Sequence, residues 1–261
     1  MYETISLETD DRGVATLCLN RPDKHNALSA AMLGELRRAA DALAGDDTVR
    51  VVVLTATGKS FCAGGDLAWM QAQMGADPAT RGAEARKLAE MLQALDTLPK
   101  PLIGKVQGNA FGGGVGMACV CDVAIGVAHM KMGLTEVRLG VIPATIGPYV
   151  VARMGAARAR RVFFSGRVFG ADEAVELGLL SRVVPAADLD AAVEAEIAPY
   201  LSAAPGAVAA AKRLVADLAP TIDDAVIDHT VSALVGCWEG EEAPEGIDAF
   251  FAKRPARWNI G

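Results

Sequence analysis

The sequence predicts a mixed α/β fold. Three observations carry that expectation: a strand-turn-strand opening, a β-branched run without alternation, and two glycine-rich turns that each join a strand pattern to a helix pattern. Tyr2 to Glu8 and Val14 to Leu19 read as strands. Between them stands Asp10-Asp11-Arg12-Gly13, so the chain is expected to open on a hairpin. Ser29 is placed to cap a helix running to about Ala44. After Gly45-Asp46-Asp47, the run Val49 to Thr55 has the pattern of a strand buried on both faces. Pro101 to Val106 reads as a further strand, followed by Gly108 to Gly114 and a small-residue helix through about Val120; Asp122 to Val127 resumes as strand. From Gly155 onward Ala, Arg, Glu and Leu recur at helical spacing, with Pro185, Pro199, Pro205 and Pro220 at helix boundaries. The expected division is an α/β core over 1–195 and a helical region over 196–261, without a clear internal repeat or low-complexity linker.

Composition narrows the function classes. With 52% hydrophobic and 22% charged residues over 261 positions, the chain can bury a core that offsets its ordering entropy. Its 25 basic against 32 acidic residues leave a net charge of −7, which disfavours a nucleic-acid partner. No apolar run reaches membrane-spanning length and the first residues read as a strand, so a soluble, cytoplasmic protein without a membrane partner is expected. Cys18, Cys62, Cys119, Cys121 and Cys237 form no Cys-x-x-Cys pair and are odd in number, which favours reduced thiols. His25, His129 and His229 lack metal-ligand spacing, so no metal is expected.

Two segments concentrate glycine where an ordinary core does not need it: Ser60-Phe61-Cys62-Ala63-Gly64-Gly65-Asp66-Leu67, and Gly108 through Gly116. Each follows a strand pattern and precedes a helix pattern. Glycine admits close ligand approach, and helix N-termini carry unpaired N–H groups, so two such turns facing one another can make an oxyanion hole. Either segment alone serves tight turns and packing equally well. Neither spells GxxxxGK[ST] or a GxGxxG at the first strand-to-helix crossing, which sets nucleotide binding aside.

Four motifs in order carry a family resemblance: Asn20-Arg21-Pro22 with Asn26-Ala27-Leu28; Phe61 to Leu67; Gly112-Gly113-Gly114; and Thr135 to Pro143. Together with the tail Phe250-Phe251-Ala252-Lys253-Arg254-Pro255, they resemble the enoyl-CoA hydratase/isomerase (crotonase) superfamily over nearly the whole chain. The resemblance implies a spiral of ββα units with a helical C-terminal trimerisation region. It implies an acyl-CoA thioester substrate, coenzyme A as part of that substrate with no prosthetic group, and a homotrimer or dimer of trimers.

By the same resemblance, Gly65 and Gly113 match the backbone N–H donors to the thioester oxygen, and Glu136 matches a catalytic glutamate. The family's other glutamate falls on Gly116, so a single carboxylate would serve hydration or, alternatively, a Δ3-Δ2 isomerisation. Ala27, Ala63, Leu67, Phe250 and Lys253 match CoA contacts, with Lys253 facing phosphate and Arg21 and Lys24 at the rim. Trp69, Met70 and Met74 are candidates for an acyl pocket or for plain helix packing, and Asp66 for a helix cap. Gly65 to Met70, Gly114 to Met117 and Thr135 to Pro148, including Ile142 to Pro148, resemble the bacterial methylglutaconyl-CoA or isohexenylglutaconyl-CoA hydratase branch. A non-enzymatic CoA- or RNA-binding role ranks last, because the stretch Arg81 to Lys87 mixes an acid among its bases.

Overall fold

A computed structural model describes residues 1–260. Strands β1 (Ile5–Thr9) and β2 (Val14–Leu19) form the expected antiparallel hairpin, with Ile5 opposite Leu19. Asp10 closes the turn by accepting from the N–H groups of Arg12 and Val14 at 2.9 Å. Helix α1 (Ala30–Gly45) begins where Ser29 accepts from the Met32 N–H. β3 (Val51–Ala56) is buried at every residue and lies parallel to β2.

From β3 onward the chain repeats one unit three times. β3 is followed by the short β4 (Ser60–Cys62) and by α2 (Leu67–Met74) and α3 (Pro78–Asp96). β5 (Leu102–Val106) is followed by β6 (Asn109–Phe111) and α4 (Gly113–Cys119). β7 (Val123–Val127) is followed by β8 (Lys131–Gly133), a 3-10 turn over Glu136–Leu139, and α5 (Gly147–Met154). The first strand of each unit joins one sheet, ordered β1-β2-β3-β5-β7, and the second joins another, where β4, β6 and β8 lie side by side and parallel. The C-terminal ends of β4, β6 and β8 therefore open onto one edge.

The remaining elements close the fold. α6 (Ala156–Phe163) leads to β9 (Val168–Gly170), which pairs antiparallel with β8, and α7 (Ala171–Glu176) leads to β10 (Arg182–Val184), which completes the six-stranded sheet beside β7. α8 (Leu189–Ser202), α9 (Pro205–Leu218), α10 (Asp224–Glu239) and α11 (Glu242–Phe251) form the helical C-terminal region. Position 195, the expected core boundary, lies inside α8.

Leu17, Leu19, Leu54, Phe61, Leu102 and Ile103 are fully buried at the centre. Ile227 and Val231 of α10 pack on Ala85 and Ala89 of α3, while Trp238, Ala243 and Ile247 pack with Val141, Leu139 and Met74. The last helices thus lie over the turn that carries Glu136. α9 differs: none of its residues is buried, and Leu214, Val215 and Leu218 are exposed. No helix is long and apolar enough to cross a membrane among the described residues. All five cysteines are free thiols.

Candidate active site

Asn26 organises the first turn. It is fully buried, its amide donates to the carbonyls of Thr57 and Ser60 at 2.8 and 2.9 Å, and its Oδ1 accepts from the Arg21 N–H. This ties the Asn20 to Leu28 segment onto the connection around β4. Leu28 then donates to the Gly64 carbonyl at 2.8 Å and accepts from the Asp66 N–H at 3.1 Å, forming a parallel bridge with Gly65. The Gly65 N–H itself has no acceptor among the described residues. Gly64 has φ +92, a conformation that disfavours any side chain, and a Cβ there would stand 3.1 Å from the Phe111 carbonyl oxygen. The two glycine turns are therefore in direct contact.

Asp66 caps α2, accepting from the Ala68 N–H at 2.9 Å. Burial pushes its carboxyl up, but bonds from Arg21 and Ala68 outweigh it and hold the group below the usual range. Arg21 corrects a sequence expectation. It is no free rim cation: its Nη1 is 2.9 Å from Asp66 and donates to the Ala27 carbonyl at 2.7 Å. Lys24 is exposed.

In the second turn Gly112 has φ +48, and its N–H donates to the Gly133 carbonyl at 3.0 Å, which ties the turn to the end of β8. Gly113 starts α4, so its N–H lies among the unpaired donors of a helix N-terminus, and it has no acceptor among the described residues.

Glu136 lies at the third strand end. Its Oε1 is 2.9 Å from where a Cβ on Gly112 would stand, so any side chain at position 112 would displace the carboxylate. Its Oε2 is enclosed and has no hydrogen-bond partner among the described residues. Burial pushes the carboxyl up to about 7, which places its titration near neutrality. Gly65, Gly113 and Glu136 thus occupy equivalent places after β4, β6 and β8.

The space beside Gly116 is filled. A Cβ there would fall 2.6 Å from Cγ2 and 3.0 Å from Cβ of Ile146, and 3.5 Å from Leu92. Ile146 is branched next to its backbone and cannot swing clear easily. An apolar wall stands where the resemblance places a second glutamate.

The expected CoA contacts fall into two groups. Ala27, Ala63 and Leu67 line the first turn; Ala27 is buried, Ala63 and Leu67 are exposed, and the Ala63 N–H donates to the His25 carbonyl. Phe250 and Lys253 lie at the end of α11. Phe250 faces a surface cleft of 530 Å³ with Arg138, Leu139, Arg254 and Trp258. Neither Ala27, Ala63 nor Leu67 lines that cleft. The cations of Arg81 to Lys87 are engaged: Arg81 pairs with Glu239 and lies over Trp238, Arg86 pairs with Asp228, and Lys87 with Glu84. Sequence reasoning gave no role to Gln73 and named Ile146 only within a motif, and both are buried; a glutamine one turn beyond Trp69 and beside Met74 was the available signal for the first.

Comparison with known proteins agrees with this geometry. The family model described as enoyl-CoA hydratase/isomerase matches residues 9–260. The chain is 33% identical to a crotonyl-CoA hydratase of Syntrophomonas wolfei, covering 98% of each chain. It is 33% identical to the mitochondrial methylglutaconyl-CoA hydratase of Mus musculus, covering 97% of this chain and 81% of that one. A crystal structure of an enoyl-CoA hydratase from Shewanella pealeana superposes with a TM-score of 0.81 at 38% identity, covering 98% and 96% of the two chains. With a family match over nearly its whole length and a shared fold, the chain belongs to the enoyl-CoA hydratase/isomerase family and is an enzyme of the enoyl-CoA hydratase type.

Proposed function

We propose that the protein hydrates an enoyl-CoA thioester with Glu136 as the only acid/base. The carrying observation is the enclosed Glu136 carboxyl, its Oε2 without a partner, beside two glycine turns whose Gly65 and Gly113 N–H groups lack acceptors among the described residues. In this reading the thioester oxygen accepts from both N–H groups. Ionised Glu136 takes a proton from water, the water oxygen bonds to the β-carbon, and the electron pair of the double bond moves onto the thioester as an enolate. Protonated Glu136 then returns its proton to the α-carbon, leaving the enzyme unchanged. The two donors hold the enolate charge, a contribution of roughly 3–4 kcal/mol each in comparable sites.

The apolar wall at Ile146 favours a second reading, Δ3-Δ2-enoyl-CoA isomerisation. There the same carboxylate takes one proton from the α-carbon and returns it to the γ-carbon as the double bond shifts, and needs no water. Mass spectrometry of products from linear 2-enoyl-CoA, 3-enoyl-CoA and 3-methylglutaconyl-CoA decides between them, since hydration adds one water and isomerisation leaves the mass unchanged. Loss of both reactions in Glu136→Gln is expected; retention of either would reassign the chemistry.

A branched 3-methylglutaconyl-type substrate is supported by the name of the mouse relative. For the CoA moiety we assign Ala27, Ala63 and Leu67 at the first turn, with Phe250 and Lys253 in the tail, the Lys253 ammonium facing phosphate. The exposed apolar stripe of α9 supports assembly into a homotrimer or a dimer of trimers, and free thiols fit a cytoplasmic setting.

A further inference from the structure

Gln73 is 4% exposed, and its Oε1 is buried without a hydrogen-bond partner among the described residues. Buried polar groups are nearly always paired, because an unpaired one loses its hydration for nothing in return. Its position explains what the pairing group is. α2 leaves the Gly65 turn with Trp69 and Met70 turned back onto it, at 3.9 and 4.0 Å from the Cβ position of Gly65. At about 100° per residue Gln73 projects between those two side chains, one turn further along. Helical side chains lean toward the N-terminus, so the Gln73 amide lies over the turn that carries Trp69 and Met70.

The next residue, Met74, packs with Leu139 and Val141 beside the Glu136 turn. The α2 face therefore runs from the Gly65 turn toward the turn that carries Glu136. Its polar groups are the Trp69 indole, whose Nε1 donates to Glu84 at 3.4 Å, and Gln73, about 9 Å along the helix from Leu67. The Arg81 Nε donates to the Gln73 main-chain carbonyl at 2.8 Å and so fixes this turn of the helix, while its Nη1 pairs with Glu239.

We propose that the Gln73 side chain reads the far end of the acyl group, selecting short CoA thioesters that end in a hydrogen-bonding oxygen, a carboxylate or a hydroxyl, over those that end in a methyl group. This rests on the assignment of the acyl-CoA site above and deepens it. An amide serves both ends: Oε1 accepts from a hydroxyl, and the amide turned over presents Nε2 to a carboxylate. A methyl end leaves the amide unpaired, which is how a hydrogen-bonding pocket rejects an apolar analogue.

The test uses saturated thioesters that cannot react, so recognition is read apart from catalysis. Calorimetry of 3-methylglutaryl-CoA, 5-hydroxy-3-methylpentanoyl-CoA and 3-methylpentanoyl-CoA is compared in wild type and Gln73→Met. The variant is expected to lose roughly 10-fold or more in affinity for at least one oxygen-ended ligand and to bind the methyl-ended ligand as well or better. Loss on the carboxylate arm alone identifies Nε2 as the reading atom, and loss on the hydroxyl arm alone identifies Oε1. Equal changes for all three ligands, or none, overturn the inference. Melting temperature is the second readout: removing an unpaired buried amide should leave it unchanged or raised, and a fall would mark Gln73 as structural and overturn the inference. Turnover of the matching enoyl thioesters tests the proposed reaction separately.

Discussion

Replacing Glu136 by glutamine should nearly silence the enzyme and, on the alkaline side, make it more stable. Burial raises this carboxyl from 4.5 to about 7, against a smaller opposing hydrogen bond from its own backbone. A carboxyl raised in this way binds its proton more tightly folded than unfolded. Its favourable contribution is complete below about pH 4.5 and is lost as pH rises through about 7. At about 1.4 kcal/mol for each tenfold, the interval from 4.5 to about 7 corresponds to roughly 3 kcal/mol of destabilisation once the group is ionised. Glutamine has nearly the same shape and no such charge. The variant should match wild type in acid and exceed it near pH 8, by roughly 6–12 °C in Tm for a domain of this size.

The assay is thermal unfolding of both proteins from about pH 5 to 9 at one fixed protein concentration, because assembly makes Tm concentration-dependent. Turnover in the variant should fall by roughly 100- to 10,000-fold, and wild-type kcat/KM should rise toward a plateau above about pH 7. A Tm offset that does not change with pH, or a variant less stable than wild type at about pH 8, would refute the isolated-carboxylate argument.

Gly116→Glu alone should destabilise the fold by about 1–3 kcal/mol, because its Cβ meets Ile146 at 2.6 Å; adding Ile146→Ala should restore part of the loss in urea titrations. Gly65→Ala should keep kcat within a few-fold, since the nearest atoms to its Cβ are 3.9 Å away or more. Gly65→Pro removes the N–H and should lower kcat roughly 100- to 1,000-fold, with circular dichroism confirming that the fold persists. Arg21→Met strips Asp66 of its partner at 2.9 Å and should cost about 1–3 kcal/mol in chemical denaturation, with the Ala27 to Asp66 turn first to lose protection in hydrogen exchange.

Much of the larger sheet was legible because its signals are local. Ser29 caps α1 as its residue type suggests, Val14 to Leu19 is a strand from end to end, and the unalternating run expected over Val49 to Thr55 is a strand from Val51 on, buried at every residue. The second sheet was not legible. β4, β6, β8 and β9 have three residues each, too few to display a period of two, and the threefold repeat they build is one of geometry rather than of sequence. α3 was also missed, since Gly82 interrupts its pattern on the side that meets Val231 and two of its five buried residues are alanine. At the site, glycine spacing pointed to the two turns. What surrounds them came only from tertiary packing: Ile146 against Gly116 and Arg21 turned inward to Asp66.

The fit of Ile146 against Gly116 also dictates the order in which this site can be redesigned. A library that randomises position 116 alone will return glycine, because every other residue starts with the Cβ that Ile146 excludes. Trimming Ile146 first opens the space but leaves a core vacancy, at a penalty of about 2–5 kcal/mol for losing most of a buried isoleucine. Installing a carboxylate at 116 is therefore a two-step route with an unstable midpoint, and selection by stability would block it. A screen seeking a two-carboxylate version of this enzyme needs positions 116 and 146 varied in the same clone.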